Sequence, residues 1–399
     1  MKKLYILLIT MFMVNIAMAQ WTALLSGTAY GLNSICFTDA NTGYVGGIDY
    51  DNQKGVILKT INGGTNWTVL SSGTLNPLFS IYFVNSNTGY AVGSFGALLK
   101  TTDAGVTWSA LSSGTTTTLM SVNFPDANTG YVVGGLGIIL KTDDGGTTWT
   151  TLPSGTTNSL YAVHFTDANK GCAVGTLGTI LTTINGGTSW AVHPVGTLEM
   201  LESVSFPDAN TGFVSGSHGL ILKSTDGGSS WSTIPSGTTA FLLSTCFINA
   251  NAGYVAGEDG TILTTHDGGT TWTTQVSGTT QWLSSVYFTD PNTGYAVADS
   301  GVILKTTNAG YPFGVTDVSP SSIHFKIYPN PASDQVTFET SEIPTEALLS
   351  ISNLSGQTLI TRQITGPKTQ IDISGFPGGV YFMRLTSDKK VATGKIIKQ

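Results

Sequence analysis

The sequence predicts an all-β fold: a seven-bladed β-propeller of four-stranded blades, its N-terminal strand closing the last blade, followed by a small Ig-like β-sandwich. Three observations predict it. Tryptophans stand at positions 67, 108, 149, 190, 231 and 272, each 41 residues after the last, and a fixed period of this size marks tandem supersecondary units. The tetrapeptide Asn-Thr-Gly-Tyr or a variant begins at Asn41, Asn87, Asn128, Asn169, Asn210, Asn251 and Asn292, so the early part of the unit occurs seven times. The segment from Trp21 to Thr28 matches the one from Trp67 to Thr74 with no unit body before it, while the last unit has only Phe313 in place of its tryptophan. A leading tail and a decayed last tail predict a closed ring, which hides the strand edges that an open array leaves free. A solenoid would instead need polar caps at both ends.

Residues 1–19 read as a signal peptide: a basic start at Lys2-Lys3, an apolar core from Leu4, and Ala17-Met-Ala19 ahead of Gln20. The core is short for a membrane anchor, so no transmembrane segment is expected in the mature chain. The expected location is extracellular or the outer-membrane surface, reached through the periplasm. Charged residues are only 10% of the chain and the net charge is −7. No basic run interleaves with aromatics, so nucleic acid is not an expected partner. Cys36, Cys172 and Cys246 are an odd number on separate units, which gives no disulfide framework; they read as small core residues.

One unit shows the blade. In the third, Leu119–Phe124 alternates as a strand, and Pro125–Gly130 is a turn of residues that bond their own backbone. Tyr131–Val133 is a second strand, Gly134–Gly137 a tight hairpin link and Ile138–Lys141 a third strand. Thr142–Trp149 turns into a fourth strand, Trp149–Leu152. Four short strands in about 41 residues make one propeller blade.

The turn before each tryptophan resembles the Asp-box of the bacterial neuraminidase repeat, at Thr60–Trp67, Thr101–Trp108, Thr142–Trp149, Thr183–Trp190, Ser224–Trp231 and Thr265–Trp272. With Gly-Tyr-x-Val-Gly before the box, the unit resembles the photosystem II assembly/stability factor family of seven-bladed propellers, over residues 21–313. The box acid is Asp103, Asp144, Asp226 and Asp267 but Asn62, Asn185 and Asn308 in the other three units. A turn-stabilising acceptor survives that exchange; a catalytic or metal-binding carboxylate does not. The box is therefore expected to be structural, with its tryptophan packed between blades.

In a propeller the four-to-one and two-to-three links share one face, and the one-to-two turns and Asp-boxes share the other. The second face repeats nearly verbatim here. The first varies: its tips are Ser94-Phe95, Gly135-Leu136, Thr176-Leu177, Ser217-His218, Glu258-Asp259 and Asp299-Ser300, and the unit-one tip swells to Ile48–Lys54. Loops on a rigid scaffold carry recognition, so ligand binding is expected there. The candidate residues are Tyr50, Phe79, Phe95, Tyr161, His218, Phe241, Glu258, Asp259, Trp282 and Asp299, because exposed aromatics anchor sugars and interfaces. Drift at unconstrained positions is the plainer explanation of the same variation.

Catalytic residues, metal ligands and cofactors are not expected. A sialidase needs an arginine cluster for the substrate carboxylate, and both arginines, Arg362 and Arg384, lie outside the propeller. The same absence departs from the basic patch that the assembly-factor resemblance implies. A glycoside hydrolase needs two carboxylates roughly 5 to 9 Å apart; Glu199, Glu202, Glu258, Asp259, Asp299, Asp49 and Asp51 are the acids available on the variable face. His164, His193, His218 and His266 show no ligand spacing.

After Phe313 the repeat stops. Residues 314–324 read as a linker, and residues 325–399 as a sandwich with strands at Val336–Thr340, Leu348–Asn353, Leu359–Gln363, Thr369–Ile373 and Val380–Leu385. Tyr328-Pro-Asn-Pro331, Leu354-Ser-Gly356, Pro377–Tyr381 and Gly394–Lys398 resemble the C-terminal sorting domain of the type IX secretion system of Bacteroidetes. That resemblance implies contact with the secretion machinery and export across the outer membrane. The whole chain reads as a monomeric, secreted or cell-surface, non-enzymatic binding propeller for an extracellular protein or glycan. The alternatives are an Asp-box glycoside hydrolase using carboxylates on the variable face, and a purely structural envelope component.

Overall fold

A computed structural model describes residues 20–310, 325–340, 347–353, 358–387 and 390–399. The expected signal peptide at 1–19, Phe313, the expected linker at 314–324 and the motif at Leu354–Gly356 lie outside the described residues. Among the described residues, no helix is long and apolar enough to cross a membrane. The chain divides into two compact units, residues 1–312 and 313–399.

The first unit is a ring of seven four-stranded antiparallel sheets. The innermost strands of blades 1 to 7 are Gly31–Phe37, Leu78–Phe83, Leu119–Asn123, Leu160–Phe165, Leu201–Ser205, Leu242–Phe247 and Leu283–Phe288. Each touches the next, and the seventh touches the first. Blade 7 is completed by Thr22–Leu25, which pairs antiparallel with Val302–Thr306 in the register Thr22↔Lys305 to Leu25↔Val302. The expected closure by the N-terminal strand is present. Trp21 is buried there, edge-on to Phe288, with ring centroids 5.9 Å apart.

Two recurring devices join the blades. The first is aromatic. The tyrosine of Asn-Thr-Gly-Tyr stacks on a phenylalanine that ends the next blade's inner strand, as in Tyr44–Phe83 at 3.8 Å and Tyr90–Phe124 at 4.0 Å. The glycine before that tyrosine is needed for space: a Cβ at Gly130 would lie 2.3 Å from the Phe124 ring. The box tryptophan meets the same phenylalanine edge-on, as in Phe124–Trp149 at 5.9 Å. Its expected place between blades is thus reached through its own blade's phenylalanine.

The second device is polar. A serine on six of the seven inner strands accepts a backbone N–H from the next: Ile81 to Ser34, Val122 to Ser80, Val163 to Ser121, Thr245 to Ser203, Val286 to Ser244 and, across the closure, Ile35 to Ser285, at 3.0–3.4 Å. In an alternating strand such serines look like solvent-facing positions. In the ring each satisfies an N–H that would otherwise face the neighbouring sheet.

The tips differ from the expected two-residue hairpins. In blades 2 to 6 each is a one-turn 3₁₀ segment, such as Ser94–Gly96. Its central residue has φ near +55° in Phe95, Leu136, Leu177, His218 and Asp259. Side chains with a Cβ adopt that region at a cost, and the fixed glycine after each, in the same region, keeps the turn tight.

The second unit holds two sheets around one core. One contains Phe325–Tyr328, Gln335–Thr340 and Lys368–Asp372; the other contains Thr358–Gln363, Leu348–Ser352, Gly379–Ser387 and Lys390–Lys398. Val336, Phe338, Leu349, Ile351, Met383 and Ile396 are buried between them. Two of these strands were not expected from sequence. Phe325–Tyr328 abuts the proline of Tyr328-Pro, and Lys390–Lys398 reads as a basic, glycine-broken end rather than a strand.

Candidate functional site

The two faces are built as the repeat requires. On one, the Asp-box packs on the one-to-two turn: Gly145 N donates to Asn128 O at 2.8 Å, and the pattern recurs around the ring. On the other, the tip packs on the four-to-one link, as in Gly260 N to Gln281 O at 2.9 Å.

The boxes are self-contained turns. Asp103 accepts from Thr107 N at 2.9 Å, Thr107 Oγ1 at 2.6 Å and Thr101 Oγ1 at 2.8 Å. Asn62 accepts from Asn66 N at 2.9 Å and Thr60 Oγ1 at 3.0 Å in the same manner. These bonds, that from the Thr107 hydroxyl first, hold the Asp103 carboxyl at about 2. An acceptor fully used by its own turn has a structural role.

On the variable face the candidates fall into separate groups. Phe241 and Trp282, from the links entering blades 6 and 7, stack with centroids 6.1 Å apart and planes at 20°. Phe241 N donates to Glu258 Oε2 at 3.0 Å, and Glu258 N returns a bond to Phe241 O at 2.8 Å. Asp259 is the exposed apex beside Glu258. Tyr50 leans from the swollen blade 1 tip onto blade 7, its hydroxyl donating to Asp299 Oδ1 at 3.0 Å. Asp49 anchors that tip, accepting from Asp51 N, Asn52 N and Asn52 Nδ2. Tyr50, Phe241, Glu258, Asp259, Trp282 and Asp299 thus occupy one arc of blades 6, 7 and 1.

The remaining candidates lie elsewhere. His218, the exposed blade 5 apex, has Nδ1 2.7 Å from Glu199 Oε2. The Ser217 hydroxyl bonds that same carboxylate, so serine and imidazole compete for one acceptor and form no Ser–His relay. These contacts, Ser217's first, keep Glu199 below the usual carboxylate range. Phe79 and Tyr161 sit half-buried on inner strands rather than on tips. Glu202 holds the position in blade 5 that Tyr161 holds in blade 4, and burial pushes its carboxyl up to about 7.

Phe95 belongs to a feature that the candidate residues do not include. With Leu136 and Leu177 it forms three successive apolar apices, 71%, 74% and 57% exposed. The variable face is therefore apolar over blades 2 to 4 and aromatic-acidic over blades 6 to 1. The signal in the sequence was a leucine at two turn centres that require positive φ. Among the described residues, no group of three His, Cys, Asp or Glu side chains is placed to hold a metal.

A family model described as photosynthesis system II assembly factor YCF48 matches residues 13–115, 65–156, 151–240 and 234–321. A second, secretion system C-terminal sorting domain, matches 326–399. No curated protein matches the chain. Among solved structures, YCF48 bound to D1 peptide is similar at 22% identity and a TM-score of 0.62, covering 73% of this chain and 98% of that one. A GH74 xyloglucanase from Xanthomonas campestris is 12% identical at a TM-score of 0.59, over 81% of this chain and 59% of that one. PorZ, a surface component of the type IX secretion system of Porphyromonas gingivalis, is 13% identical at 0.55, over 90% of this chain and 58% of that one. At these identities the likeness is one of fold. The sorting tail marks the chain for export to the cell surface or outer-membrane region and for contact with the secretion machinery.

Proposed function

Because the chain belongs to the photosynthesis system II assembly factor YCF48 family along its propeller and ends in a secretion-system sorting domain, we propose that it is a non-enzymatic binding propeller displayed outside the cell. Its ligand is a protein or glycan held on the tip face over blades 6, 7 and 1. The observation that carries this reading is the Phe241–Trp282 stack, with the Glu258 carboxylate bonded to Phe241 N and with Asp259 and Asp299 on the tips of the same blades 6 and 7. Stacked rings beside hydrogen-bond acceptors suit a sugar face with its hydroxyls, and equally an aromatic-anchored peptide. A relative of similar fold is known with a bound peptide. The test is capture from cell envelopes together with a glycan array, using the mature chain and Phe241→Ala/Trp282→Ala. At least tenfold weaker capture at unchanged stability is expected; identical capture by both proteins sinks the assignment.

One observation favours hydrolysis as a second reading. Two carboxylates stand three residues apart where the link enters blade 5, in unlike surroundings: Glu199 is bonded to Ser217 and His218, while Glu202 is half-buried on the inner strand, where burial raises its carboxyl, and a hydrolase needs one acid and one base. Incubation with polysaccharides, wild type against Glu202→Gln, separates this from binding: release of sugar only by the wild type supports it.

A further inference from the structure

Six of the seven blade interfaces share a polar and aromatic seal on the Asp-box side. The stacked ring comes from Tyr44, Tyr90, Tyr131, Phe213, Tyr254 or Tyr295. The seal ends on a carbonyl of the next blade's box or turn. Ala104 O accepts from Tyr44 Oη at 2.8 Å and Lys59 Nζ at 2.7 Å, and Gly63 O from Tyr295 Oη at 3.0 Å and Lys305 Nζ at 2.7 Å. Where one donor is missing another serves. Lys223 reaches Gly268 O beside Phe213, and Gln275 reaches Ala309 O beside Tyr254.

Between blades 4 and 5 the whole seal is absent. Cys172 stands where the ring belongs, Thr182 where the lysine belongs, and Ala162 where the inner-strand serine belongs. Phe206 therefore has no stacked ring from blade 4; His164 lies tilted beside it at 6.0 Å. Among the described residues nothing donates to the carbonyls of Gly227 or Ala209. A Cβ on Gly227 would meet only Ala209 O within 4 Å, whereas one on Gly186 would meet Ala168 O, Tyr131 Oη and Lys141 Nζ. Gly227 is exposed, while Gly63, Gly145, Gly186 and Gly268 are buried. The space left is a partly enclosed cavity of about 140 Å³, lined by His164, Cys172, Phe206, Ala209, Asp226 and Gly227.

We infer that this cavity binds a p-hydroxyphenyl group supplied from outside the ring, the side chain that the repeat omits in blade 4. Its ring lies on Phe206, and its hydroxyl donates to one of two carbonyls, that of Gly227 or that of Ala209, as Tyr90 donates to Gly145 O and Tyr131 to Ala168 O. The size is right for one six-membered ring, since a cavity of about 150 Å³ admits benzene, and the rim carries the polar side chains of Lys170 and Asp226. The chemistry is right as well, since the vacant place ends on acceptors that match a phenol O–H and not a bare hydrocarbon. His164 is buried and its imidazole is pulled down to about 4, so it stays neutral at physiological pH. The Cys172 thiol is pushed well above its ordinary value by burial and stays protonated. Neither group puts a charge against the incoming ring.

The test is a titration of the mature full chain with p-cresol, which is the tyrosine side chain alone, read by calorimetry and by ligand-observed NMR. Saturable binding in about the millimolar range is expected for a ligand of this size, with toluene at least fivefold weaker. Cys172→Tyr fills the cavity from within and should abolish binding. Thr182→Lys, a change that need not disturb the core, should weaken it at least fivefold by occupying Gly227 O. N-acetyl-tyrosinamide distinguishes sources: affinity near that of p-cresol points to a tyrosine of a partner chain, and more than tenfold weaker affinity to a free phenol. No binding of p-cresol, or equal binding by wild type and Thr182→Lys, overturns the inference even if Cys172→Tyr fails to fold.

Discussion

Trp21 Nε1 donates a hydrogen bond to Gln275 Oε1 at 2.7 Å, joining residues 254 positions apart in sequence. Around it, Gln20 N donates to Val276 O at 3.0 Å and Gln275 Nε2 to Ala309 O at 2.9 Å. The closing strand is thus fastened to blade 6 as well as to its own blade. Trp21→Ala removes a fully buried side chain and should destabilise the propeller by about 3–5 kcal/mol. Gln275→Ala leaves the indole N–H without its acceptor and should cost about 1–3 kcal/mol. Denaturant unfolding measures both; wild-type midpoints in both variants contradict closure through this strand.

The boxes predict an acid limb. Asp103, Asp144 and Asp226 are each held at about 2 by hydrogen bonds from their own turns. Their folded values lie below the unfolded one of about 3.9. Their contribution is therefore present above about pH 4 and lost as pH falls towards 2. Thermal melts across that window should show the decline. Asp103→Asn should flatten it while lowering the melting temperature less than Asp103→Ala, because asparagine already serves in Asn62 and Asn185.

Glu202 predicts the opposite slope. Burial pushes its folded value up to about 7, above an unfolded value of about 4.3. Its favourable contribution is complete below the unfolded value and is lost as pH rises through about 7. Glu202→Gln should raise the melting temperature at pH 8 and leave it nearly unchanged at about pH 4. Equal shifts at both values would place the carboxyl in water.

The gap in the serine series predicts a gain. Ala162→Ser supplies the acceptor that Val204 N lacks from blade 4, by analogy with Ser121 and Val163 at 3.3 Å. About 0.5–1.5 kcal/mol of added stability is expected, with slowed amide hydrogen exchange at Val204. Unchanged exchange there shows that the site does not behave like its six counterparts.

Much of this architecture was legible because a repeat tests itself. Seven copies separated the fixed Gly130 from the variable Leu136, and Asn62 in place of Asp103 exposed the box as a turn. The closing strand followed from Trp21 having no unit before it. The inner-strand serines were hidden because a polar residue in an alternating strand reads as solvent-facing. Cys172 reads as a small core residue, and it is buried; that a cavity lies beside it depends on Thr182 and Cys172 sharing one side of an interface, which pairing alone reveals. On the tip face, sequence reasoning found Phe241 and Trp282 but not their mutual stacking, since they lie 41 residues apart on different links.

The final sheet combines an early strand, Thr22–Leu25, with three strands made more than 250 residues later. Each of the other six is assembled from consecutive segments and can zip up as it leaves the ribosome or a translocation channel. The clasp must wait. Until Val302–Thr306 has been made, the hoop is an unfastened arc with both rims bare, so the ring can lock only once the last of its strands is at hand.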